Sequence, residues 1–316
     1  MSAQLRLKGE LMMKAIRTIG LLLLAVLLAL PCAALADYSM PVADGDLDAV
    51  QGLDENWFNV LLIGTDSREK NLRSGRADTM MICAINTQTG EIKITSLARD
   101  TWVTIGDNGH QNKLNAAHTF GGPNLLMQTI NRTYSLNIEH YITINFYGVC
   151  DIVDALGGVH LELAQDEAWA INTTVEEEYS SYGSAQIKPL PRDAAEADVC
   201  GAQALAFARI RKLDNDLGRQ NRQRRLLLSM FNKVKDCSIP EMIGVAKMCL
   251  EHVTTNLPFT KIVSLATGVL SHGIAGISMQ AFPDEGEYKY DSADGVSKLI
   301  IDPEAGRQKI HGFIYQ

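Results

Sequence analysis

The sequence predicts one α/β domain in which helices pack on both faces of a sheet. Continuous apolar runs of strand length end in loops, which is typical of strands buried on both faces. Stretches with helical periodicity separate these runs, and this alternation favours a layered α/β/α architecture. With 316 residues, of which 46% are hydrophobic and 21% charged, the chain is long enough for a large core. Because no linker-like stretch follows Trp57, a single domain is the better prediction.

Three strands are predicted to begin the domain. The run FNVLLIG, residues 58–64, is continuously apolar and ends in a polar loop. Asp78 opens a second strand, TMMICAIN, and a turn at residues 87–90 leads into the third, EIKITSL. This spacing predicts a hairpin that is followed directly by Arg99 and Asp100.

The rest of the chain alternates between predicted helices and strands. Residues 172–198 are rich in Glu, Ser, Tyr and Pro, and we expect a surface excursion or a lid there. A helix over GAQALAFA is expected to end near Ala208, and after a turn the next helix carries Arg219. The other predicted elements are a helix over 124–134, a strand over 141–146, a helix over 147–156, a strand over 159–163, helices near 242–252 and 262–270, a short SMQAF segment, and a helix over 303–315.

The N-terminal residues 1–36 have the pattern of a secretory signal. Basic residues precede an apolar run at 19–30, and an A-x-A sequence ends at Ala36. The run is short for a membrane span, which needs about 20 residues, although counting on to Ala36 brings it close. A cleaved signal peptide and an uncleaved signal-anchor therefore both remain open, with Met13 as an alternative start. Either way, the rest of the chain is expected outside the cytoplasm, with residues 37–56 as an acidic spacer.

Composition and motifs exclude several functions. The net charge of −8 argues against a general nucleic-acid binder. No two glycines are separated by a single residue, so there is no G-x-G nucleotide loop, and neither G-x-x-x-x-G-K-[ST] nor G-x-S-x-G occurs. The seven histidines are scattered without metal-ligand spacing.

The cysteines give two expectations. Cys83 and Cys150 fall in core-like apolar runs, and we expect both to be buried. Cys237 and Cys249 could form a disulfide outside the cytoplasm, but the sequence does not decide whether they pair.

A basic segment is the strongest functional signal. Residues 209–225 hold seven basic side chains against two acidic ones, although the protein as a whole is acidic. Apolar residues between Leu226 and Val234 recur at helical spacing, and stepping back by three and four places Gln223 and Arg219 on the same buried stripe. The N-terminus of a helix also favours an anion such as phosphate.

Arg209 and Arg211 would lie on one side of an extended segment just before this helix. With the inward-facing Arg219, they predict a fork around a multiply charged anion. The alternative is a solvated basic helix. That alternative suits Arg224 and Arg225 but not the inward-facing positions.

A second polar cluster follows the ends of the predicted strands. The segments GTDSR, GRADT, ARD and NKLNAA lie where α/β domains place their ligands. Asp66 and Asp78 flank one loop and could hold a hard cation, with substrate phosphates completing its shell. Arg99 ends the hairpin and would point to the same edge. Either aspartate could instead be a turn residue or a helix cap, but with the arginines they indicate a pyrophosphate site.

Seven motifs in order resemble those of the LytR-CpsA-Psr family of cell-envelope proteins. They are NVLLIGTDSR, GRADTMM, SLARDTWV, KLNAAHTFGG, DALGGV, GAQALAFARIRK and GRQNRQRR, and they cover about residues 57–236. The resemblance implies a three-layer α/β/α sandwich around a central mixed sheet, with a hydrophobic pocket for a polyprenyl chain. Within a catalytic domain over 57–316, residues 57–236 would be the motif core and 237–316 a helical extension.

The resemblance also implies an activity. Family members transfer a glycopolymer, such as teichoic acid or capsule, from polyprenyl pyrophosphate to peptidoglycan, with Mg²⁺. The expected location is the outer face of the cytoplasmic membrane or the cell wall, and no nucleic acid is expected as a partner.

The family motifs assign roles to individual residues. The metal ligands would be Asp66 and Asp78. The catalytic residues would be Arg99, Asp66 and Arg211. The pyrophosphate would be bound by Arg68, Lys113, Asn115, Arg209, Arg211, Arg219 and Gln223. Two scaffold positions depart from the family pattern, because Ala98 replaces a proline and residues 199–201 replace Leu-Asn-Gly.

The implied reaction is phosphoryl transfer by positioning and charge neutralisation. A sugar hydroxyl of peptidoglycan would attack the phosphorus that carries the glycan, and the lipid phosphate would leave. Asp66 or Asp100 could act as the base, and the sequence does not choose between them. Two alternatives remain: a hydrolase that releases the glycan phosphate to water, and a non-enzymatic regulator of the transcriptional attenuator type. Secretion and net acidity argue against the regulator.

Overall fold

The computed structural model describes residues 46–66, 75–179, 187–235, 252–258, 260–261, 264–265, 276–293 and 295–316. Its strands are β1 Trp57–Thr65, β2 Ala77–Asn86, β3 Glu91–Leu97, β4 Trp102–Ile105, β5 His110–Lys113, β6 His140–Asn145, β7 Val159–Glu162, β8 Glu196–Val199, β9 Val253–Thr255, β10 Gly276–Phe282, β11 Tyr288–Asp291 and β12 Lys298–Ile301. Its helices are α1 Leu114–Tyr134, α2 Phe146–Ala155, α3 Glu167–Thr174, α4 Gly201–Arg209, α5 Asp216–Lys235 and α6 Pro303–Tyr315. A π-helical turn, Val175–Tyr179, follows α3.

Six strands form a central mixed sheet in the order β10-β3-β2-β1-β6-β9. The first three strands of the chain are antiparallel neighbours, as the predicted hairpin requires. β6 pairs with β1 in parallel, and β10 pairs with β3 in parallel. The mixed sheet that the family resemblance implied is therefore confirmed.

Helices cover both faces of this sheet. Successive side chains of a strand point to opposite faces, and β1 shows the result. Val60 packs into the core formed with α2, α3, α4 and α5, whereas Leu61 packs into the core formed with α1 and α6. The molecule is therefore the three-layer α/β/α sandwich that the sequence predicted, built as a single domain around one sheet.

Two of the cysteine predictions are confirmed. Cys83 in β2 and Cys150 in α2 are buried, and burial raises the pKa of both thiols to about 12. Such thiols stay protonated and pack as small apolar groups. Cys237 and Cys249 lie outside the described residues.

The helix α1 begins at Leu114, well before the predicted start at residue 124. The backbone leaves helical geometry at Gly121 and Gly122, just before the predicted start, and Gly122 has a φ of +65°. The helix nevertheless continues on both sides of this kink. The NKLNAA motif therefore spans the end of β5 and the start of α1, where a loop was expected.

The segment after residue 236 is not simply the helical extension that the sequence predicted. β9 and β10 are the outermost strands of the central sheet, and β11 pairs with β12 beside it. The helix over 303–315 is confirmed as α6, and the side chain of Asp302 caps its N-terminus. The predicted helices near 242–252 and 262–270 fall largely outside the described residues.

Part of the predicted acidic spacer is packed onto the domain. The side-chain amide of Asn131, in α1, donates to the carbonyl of Leu47 at 2.9 Å. Leu47 itself packs against the core on the α1 face. Residues 46–56 therefore belong to the folded unit. The signal and the first part of the spacer, residues 1–45, lie outside the described residues, and no helix in the described ranges is long and apolar enough to span a bilayer.

The expected surface excursion over residues 172–198 is only partly irregular. The end of α3 and the π-helical turn occupy its first part, where Val175 and Tyr179 are buried in the core. β8 occupies its end. Between them, the side chain of Asn172 accepts from the backbone N–H of Leu190 and donates to its carbonyl, both at 2.8 Å. Residues 180–186 lie outside the described ranges.

Candidate functional site

An apolar cavity of about 210 Å³ lies between the central sheet and the helices α2, α4 and α5. Side chains of β1, β2 and β6 form its floor, and side chains of the three helices form its walls. Typical lining residues are Leu62, Ile144, Val149, Leu205 and Leu226. A lining of this kind accommodates a hydrocarbon chain without leaving polar groups unsatisfied.

A cluster of charged side chains also lines this cavity. It consists of Arg209, Arg211, Arg219 and Asp78, together with the amide of Gln223. They come from the end of α4, the segment that follows it, the first turns of α5 and the start of β2. The predicted helical stripe placed Arg219 and Gln223 facing inward, and both side chains do reach the cavity.

Arg99 connects two acidic residues beside the cavity. Its Nη1 donates to Oδ1 of Asp78, and its Nε lies 3.2 Å from Oδ1 of Asp216. Burial alone would lower the pKa of Arg99, but the charges of Asp78, Asp216 and Asp100 outweigh burial and raise it above the ordinary value. Arg99 is therefore a fixed positive charge just after the end of β3. It lies beside Asp78, as the sequence predicted.

Arg219 is the most deeply buried arginine of the cluster, with 5% of the residue exposed. Burial lowers the pKa of Arg219, and Asp216, whose Oδ1 is 2.5 Å from Nη2, opposes that effect. Within the described part of the chain, Nε of Arg219 has no hydrogen-bond partner. A buried donor without an acceptor is destabilising, so an anion at this position would be favoured.

Arg209 is held by the π-helical turn. Its guanidinium carbon lies 4.1 Å from the centre of the Phe146 ring, a favourable cation–π distance. Its Nη1 contacts the hydroxyl of Tyr179 and lies 3.4 Å from Oε2 of Glu178. Burial raises the pKa of Tyr179 to about 12 although Arg209 opposes the change, so the hydroxyl stays neutral.

Arg211 is the most accessible arginine of the cluster, with 60% of its side chain exposed. Its Nη2 lies 3.9 Å from Oδ2 of Asp78, too far for a direct hydrogen bond. Its guanidinium can therefore turn its donors towards a ligand that enters from solvent.

Lys113 and Asn115 support Arg99 and do not line the cavity. Nζ of Lys113 lies 3.1 Å from Oδ1 of Asp100. The backbone N–H of Asn115 donates to the carbonyl of Arg99 at 3.1 Å. These contacts fix the chain around Arg99, and direct pyrophosphate binding by Lys113 and Asn115 stays a prediction.

Asp66 directly follows β1. Its Oδ1 accepts from the backbone N–H of Arg76 at 2.9 Å. The described residues contain no group of three or more His, Cys, Asp or Glu side chains arranged to hold a metal ion. Arg68, the remaining predicted site residue, lies outside the described ranges.

The interpretation of the second half of the basic segment needs correction. Arg225 was expected to be solvated, but its guanidinium makes two bonds of 2.9 Å with the carboxylate of Glu167, which is buried in α3. Arg224 is partly buried, and burial lowers its pKa. The periodicity of α5 could not reveal the Arg225 contact, because the partner lies on another helix.

Three residues of the site were not predicted. Asp216 shares its carboxylate between Arg99 and Arg219, Tyr179 contacts Arg209, and Arg222 is buried with Asp214 as its partner. A sequence signal existed for Asp216, which stands three residues before Arg219 and therefore on the same helical face. No local signal pointed to Tyr179, because its segment has no helical or strand periodicity.

The comparisons with known proteins agree with this architecture. The family model described as LytR_cpsA_psr matches residues 37–308. Two relatives are named polyisoprenyl-teichoic acid–peptidoglycan teichoic acid transferase TagU. The protein from Bacillus licheniformis is 30% identical over 229 residues, covering 69% of this chain and 68% of the relative. The protein from Oceanobacillus iheyensis is 34% identical over 218 residues, covering 66% of this chain and 62% of the relative.

Solved structures share the fold. Bacillus subtilis TagT superposes with a TM-score of 0.64 at 20% sequence identity, covering 87% of this chain and 98% of TagT. The family protein YwtF (TagT) with bound octaprenyl pyrophosphate lipid superposes with a TM-score of 0.62 at 18% identity, covering 87% of this chain and 98% of that protein. At these identities the likeness concerns the fold. With a family model that spans most of the sequence, this chain belongs to the LytR_cpsA_psr family.

Proposed function

We propose that this protein transfers a glycopolymer, such as a teichoic acid or a capsule polymer, from a polyprenyl-pyrophosphate carrier to peptidoglycan. The observation that carries the proposal is that one cavity has both a cluster of arginines and apolar walls. Arg209, Arg211 and Arg219 line a space whose other walls are almost entirely apolar. A polyprenyl pyrophosphate has the complementary form, since a long hydrocarbon chain is joined to a multiply charged head group.

The relatives support the same reaction class. The TagU proteins of B. licheniformis and O. iheyensis are named as transferases of teichoic acid between a polyisoprenyl carrier and peptidoglycan. The proposed partners are accordingly the lipid-linked glycan, peptidoglycan and the cytoplasmic membrane in which the carrier resides. The proposed location is the outer face of that membrane or the cell wall.

The arginines would bind the head group and neutralise its charge. Guanidinium groups make paired hydrogen bonds to phosphate oxygens, and such bonds are among the stronger ones in proteins. Arg219 offers a buried donor, and Arg211 offers donors at the accessible side. Because these charges are already in place, they would stabilise the negative charge that develops on the leaving phosphate.

The proposed reaction exchanges one phosphorus–oxygen bond for another. A sugar hydroxyl of peptidoglycan attacks the phosphorus that bears the glycan. The bond from this phosphorus to the bridging oxygen breaks, and polyprenyl monophosphate leaves with the bonding electron pair. The hydroxyl proton passes to a base, for which Asp66 and Asp100 are the two candidates in this chain.

Mg²⁺ is the proposed cofactor. Asp66 follows β1 and Asp78 is the second residue of β2, and because these strands are antiparallel neighbours, both residues lie at the same end of the sheet. Mg²⁺ prefers oxygen ligands and commonly binds one or two carboxylates while phosphate oxygens and water complete its shell. Two carboxylates beside a phosphate-binding cluster fit that requirement. When bound, the ion would withdraw charge from the pyrophosphate oxygens.

A transfer assay tests the proposal. The full chain is incubated with a polyprenyl-pyrophosphate-linked glycan and peptidoglycan oligomers, with Mg²⁺ or with EDTA, and the products are identified by mass spectrometry. Transfer predicts a peptidoglycan oligomer that carries the glycan phosphate, together with polyprenyl monophosphate, and a clear loss of both products in EDTA. Release of the free glycan phosphate in the presence of acceptor would identify a hydrolase instead.

Two variants sharpen this assay. Asp78→Asn removes a proposed metal ligand, and we expect it to lower the rate strongly even in excess Mg²⁺. Asp193→Asn removes an exposed carboxylate of the same charge and should leave the rate unchanged. Equal rates for the two variants would count against Asp78 as a ligand.

A further inference from the structure

Asp214, Gly218 and Arg222 form a compact group beside the cavity arginines, and none of the three lines the cavity. Arg222 is 2% exposed, and a buried guanidinium is stable only when it is paired. Its Nη1 donates to Oδ2 of Asp214 at 2.7 Å, and its Nη2 donates to Oδ1 at 2.6 Å. This bidentate pair fixes both the position and the plane of the guanidinium.

The close approach of Asp214 depends on Gly218. Gly218 and Arg222 stand four residues apart on α5 and therefore share one face of the helix. A Cβ atom at position 218 would lie 2.1 Å from Oδ2 of Asp214, well inside van der Waals contact. The missing side chain thus creates the space in which the Asp214 carboxylate reaches Arg222.

A third contact joins Arg222 to the segment that carries two cavity arginines. Its Nη2 donates to the carbonyl of Ile210 at 3.0 Å. Ile210 stands between Arg209 and Arg211, is 1% exposed, and has the extended conformation in which the chain leaves α4. A hydrogen bond to this one carbonyl therefore restricts the direction in which both arginine side chains leave the backbone.

Glu167 completes the charge balance of the group. Its Oε1 lies 3.6 Å from Nη1 of Arg222, and its carboxylate also makes the bidentate pair with Arg225. Two carboxylates thus face two guanidinium groups. Arg222 is already neutralised by its own partners, so its contribution to an anion site is geometric.

We infer that Arg222 is a positioning residue for the pyrophosphate head group. It acts through the carbonyl of Ile210 on Arg209 and Arg211, and Asp214 and Gly218 hold it in place. The inference rests on the proposed function for the identity of the anion, but it does not depend on whether transfer occurs.

Calorimetric titration of the full chain with two short isoprenoids tests this inference. Farnesyl diphosphate engages the arginines and the cavity, whereas farnesol engages the cavity alone. In Arg222→Lys, one ammonium cannot make the bidentate pair and the Ile210 contact together. We expect affinity for farnesyl diphosphate to fall about tenfold, as for one lost charge-assisted hydrogen bond, and affinity for farnesol to change less than about twofold.

Gly218→Ala should give the same pattern, because it displaces Asp214 without altering any charge. Arg224→Lys, on the same helix, is the matched control and should bind both isoprenoids as the wild type does. Thermal melts accompany every titration. Should Arg222→Lys fail to fold, Gly218→Ala and the milder Asp214→Asn carry the test.

Three outcomes would overturn the inference. One is an equal loss of affinity for both isoprenoids, which would indicate a merely structural role. Another is unchanged diphosphate affinity in folded Arg222→Lys and Gly218→Ala. The third is a wild-type protein that does not bind farnesyl diphosphate. A wild-type protein that binds farnesyl diphosphate but transfers no glycan would refute the proposed function and leave this inference standing.

Discussion

Oδ1 of Asp216 lies 2.5 Å from Nη2 of Arg219, one turn further along α5. The same oxygen lies 3.2 Å from Nε of Arg99. After burial itself, Asp216 has the largest effect on the pKa of Arg219 and raises it, whereas Arg99 lowers it. One carboxylate therefore offsets part of the positive charge of two neighbouring guanidinium groups.

Asp216→Asn should destabilise the free protein. Removing one partner of a buried ion pair typically costs about 3–5 kcal/mol, because the remaining charges lose their compensation. Farnesyl diphosphate should then raise the melting temperature of the variant more than that of the wild type, since its negative charge replaces the lost carboxylate. Thermal melts with and without ligand measure both effects. Asp193→Asn, at an exposed site, is the control, and an equal ligand-induced shift in all three proteins would argue against the prediction.

Arg219→Lys should reduce activity although it keeps the charge. A lysine ammonium is a point donor on a flexible stem and cannot contact two phosphate oxygens as a guanidinium does. The loss of one charge-assisted hydrogen bond, about 1.5–3 kcal/mol, corresponds to a fall in rate on the order of ten- to a hundredfold. The transfer assay gives the rate.

The control for this substitution is Arg224→Lys, which changes the same residue type five positions further along α5. It should retain nearly full activity, and thermal melts should show that both variants fold. Equal activities would mean that the inward-facing arginine has no special role, and the anion site would then have to be rebuilt around Arg99 and Arg211.

Val149→Trp should separate tail binding from head-group binding. Val149 lines the cavity from α2 and is only partly buried, so a larger side chain can enter the empty space without a forced rearrangement of the core. Farnesol affinity should fall about tenfold or more, whereas inorganic pyrophosphate should bind as before. Calorimetry measures both, with Val50→Trp, outside the cavity, as the control. A parallel loss of pyrophosphate binding would show that the two ligands do not use separate parts of the site.

Stability should decrease in mildly acidic solution because of His140. Burial lowers the pKa of His140 below its ordinary value, with Lys261 adding to the effect and Glu139 and Asn256 opposing it. The unfolded chain takes up the proton near pH 6.5, whereas the folded protein takes it up only at lower pH. Below about pH 6.5 the unfolded state therefore binds more protons than the folded state. As the pH decreases further, the free energy of unfolding falls until the pH reaches the pKa of His140 in the folded protein.

Melting temperatures between pH 7.5 and 5 measure this effect. His140→Gln keeps a donor near the position of Nε2 and removes the titration, so its curve should be flatter than that of the wild type. His110→Gln, at an exposed position, should leave the slope unchanged. If His140→Gln and the wild type show the same slope, another group causes the pH dependence.

The central strands were predictable because their sequences are buried on both faces. The run FNVLLIG is continuously apolar, which is typical of an interior strand, and the turn between the second and third strands indicates their pairing. The three-residue strand β9 and the pair β11–β12 carry no such signal. Their place in the fold comes from tertiary contacts, such as the backbone bond from Leu299 to Asp100 at 3.2 Å.

The site was predictable to the extent that periodicity controls it. The helical repeat of α5 placed Arg219 and Gln223 at the cavity, because residues three and four apart share one face. Contacts between distant segments could not be predicted, because periodicity describes only residues that are close together in the sequence. The ion pair of Arg225 with Glu167 joins residues on separate helices, and neither local sequence indicates it.

Both outermost strands of the central sheet, β9 and β10, come from the part of the chain that follows the family motifs. A protein cut after residue 236 would retain every predicted site residue but would leave β3 and β6 as sheet edges. Along β3, the backbone groups that pair with Gly276–Phe282 would be open. Exposed edges of this kind recruit strands from other molecules. Such a fragment should aggregate, so the smallest stable unit of this protein is larger than the segment that carries its chemistry.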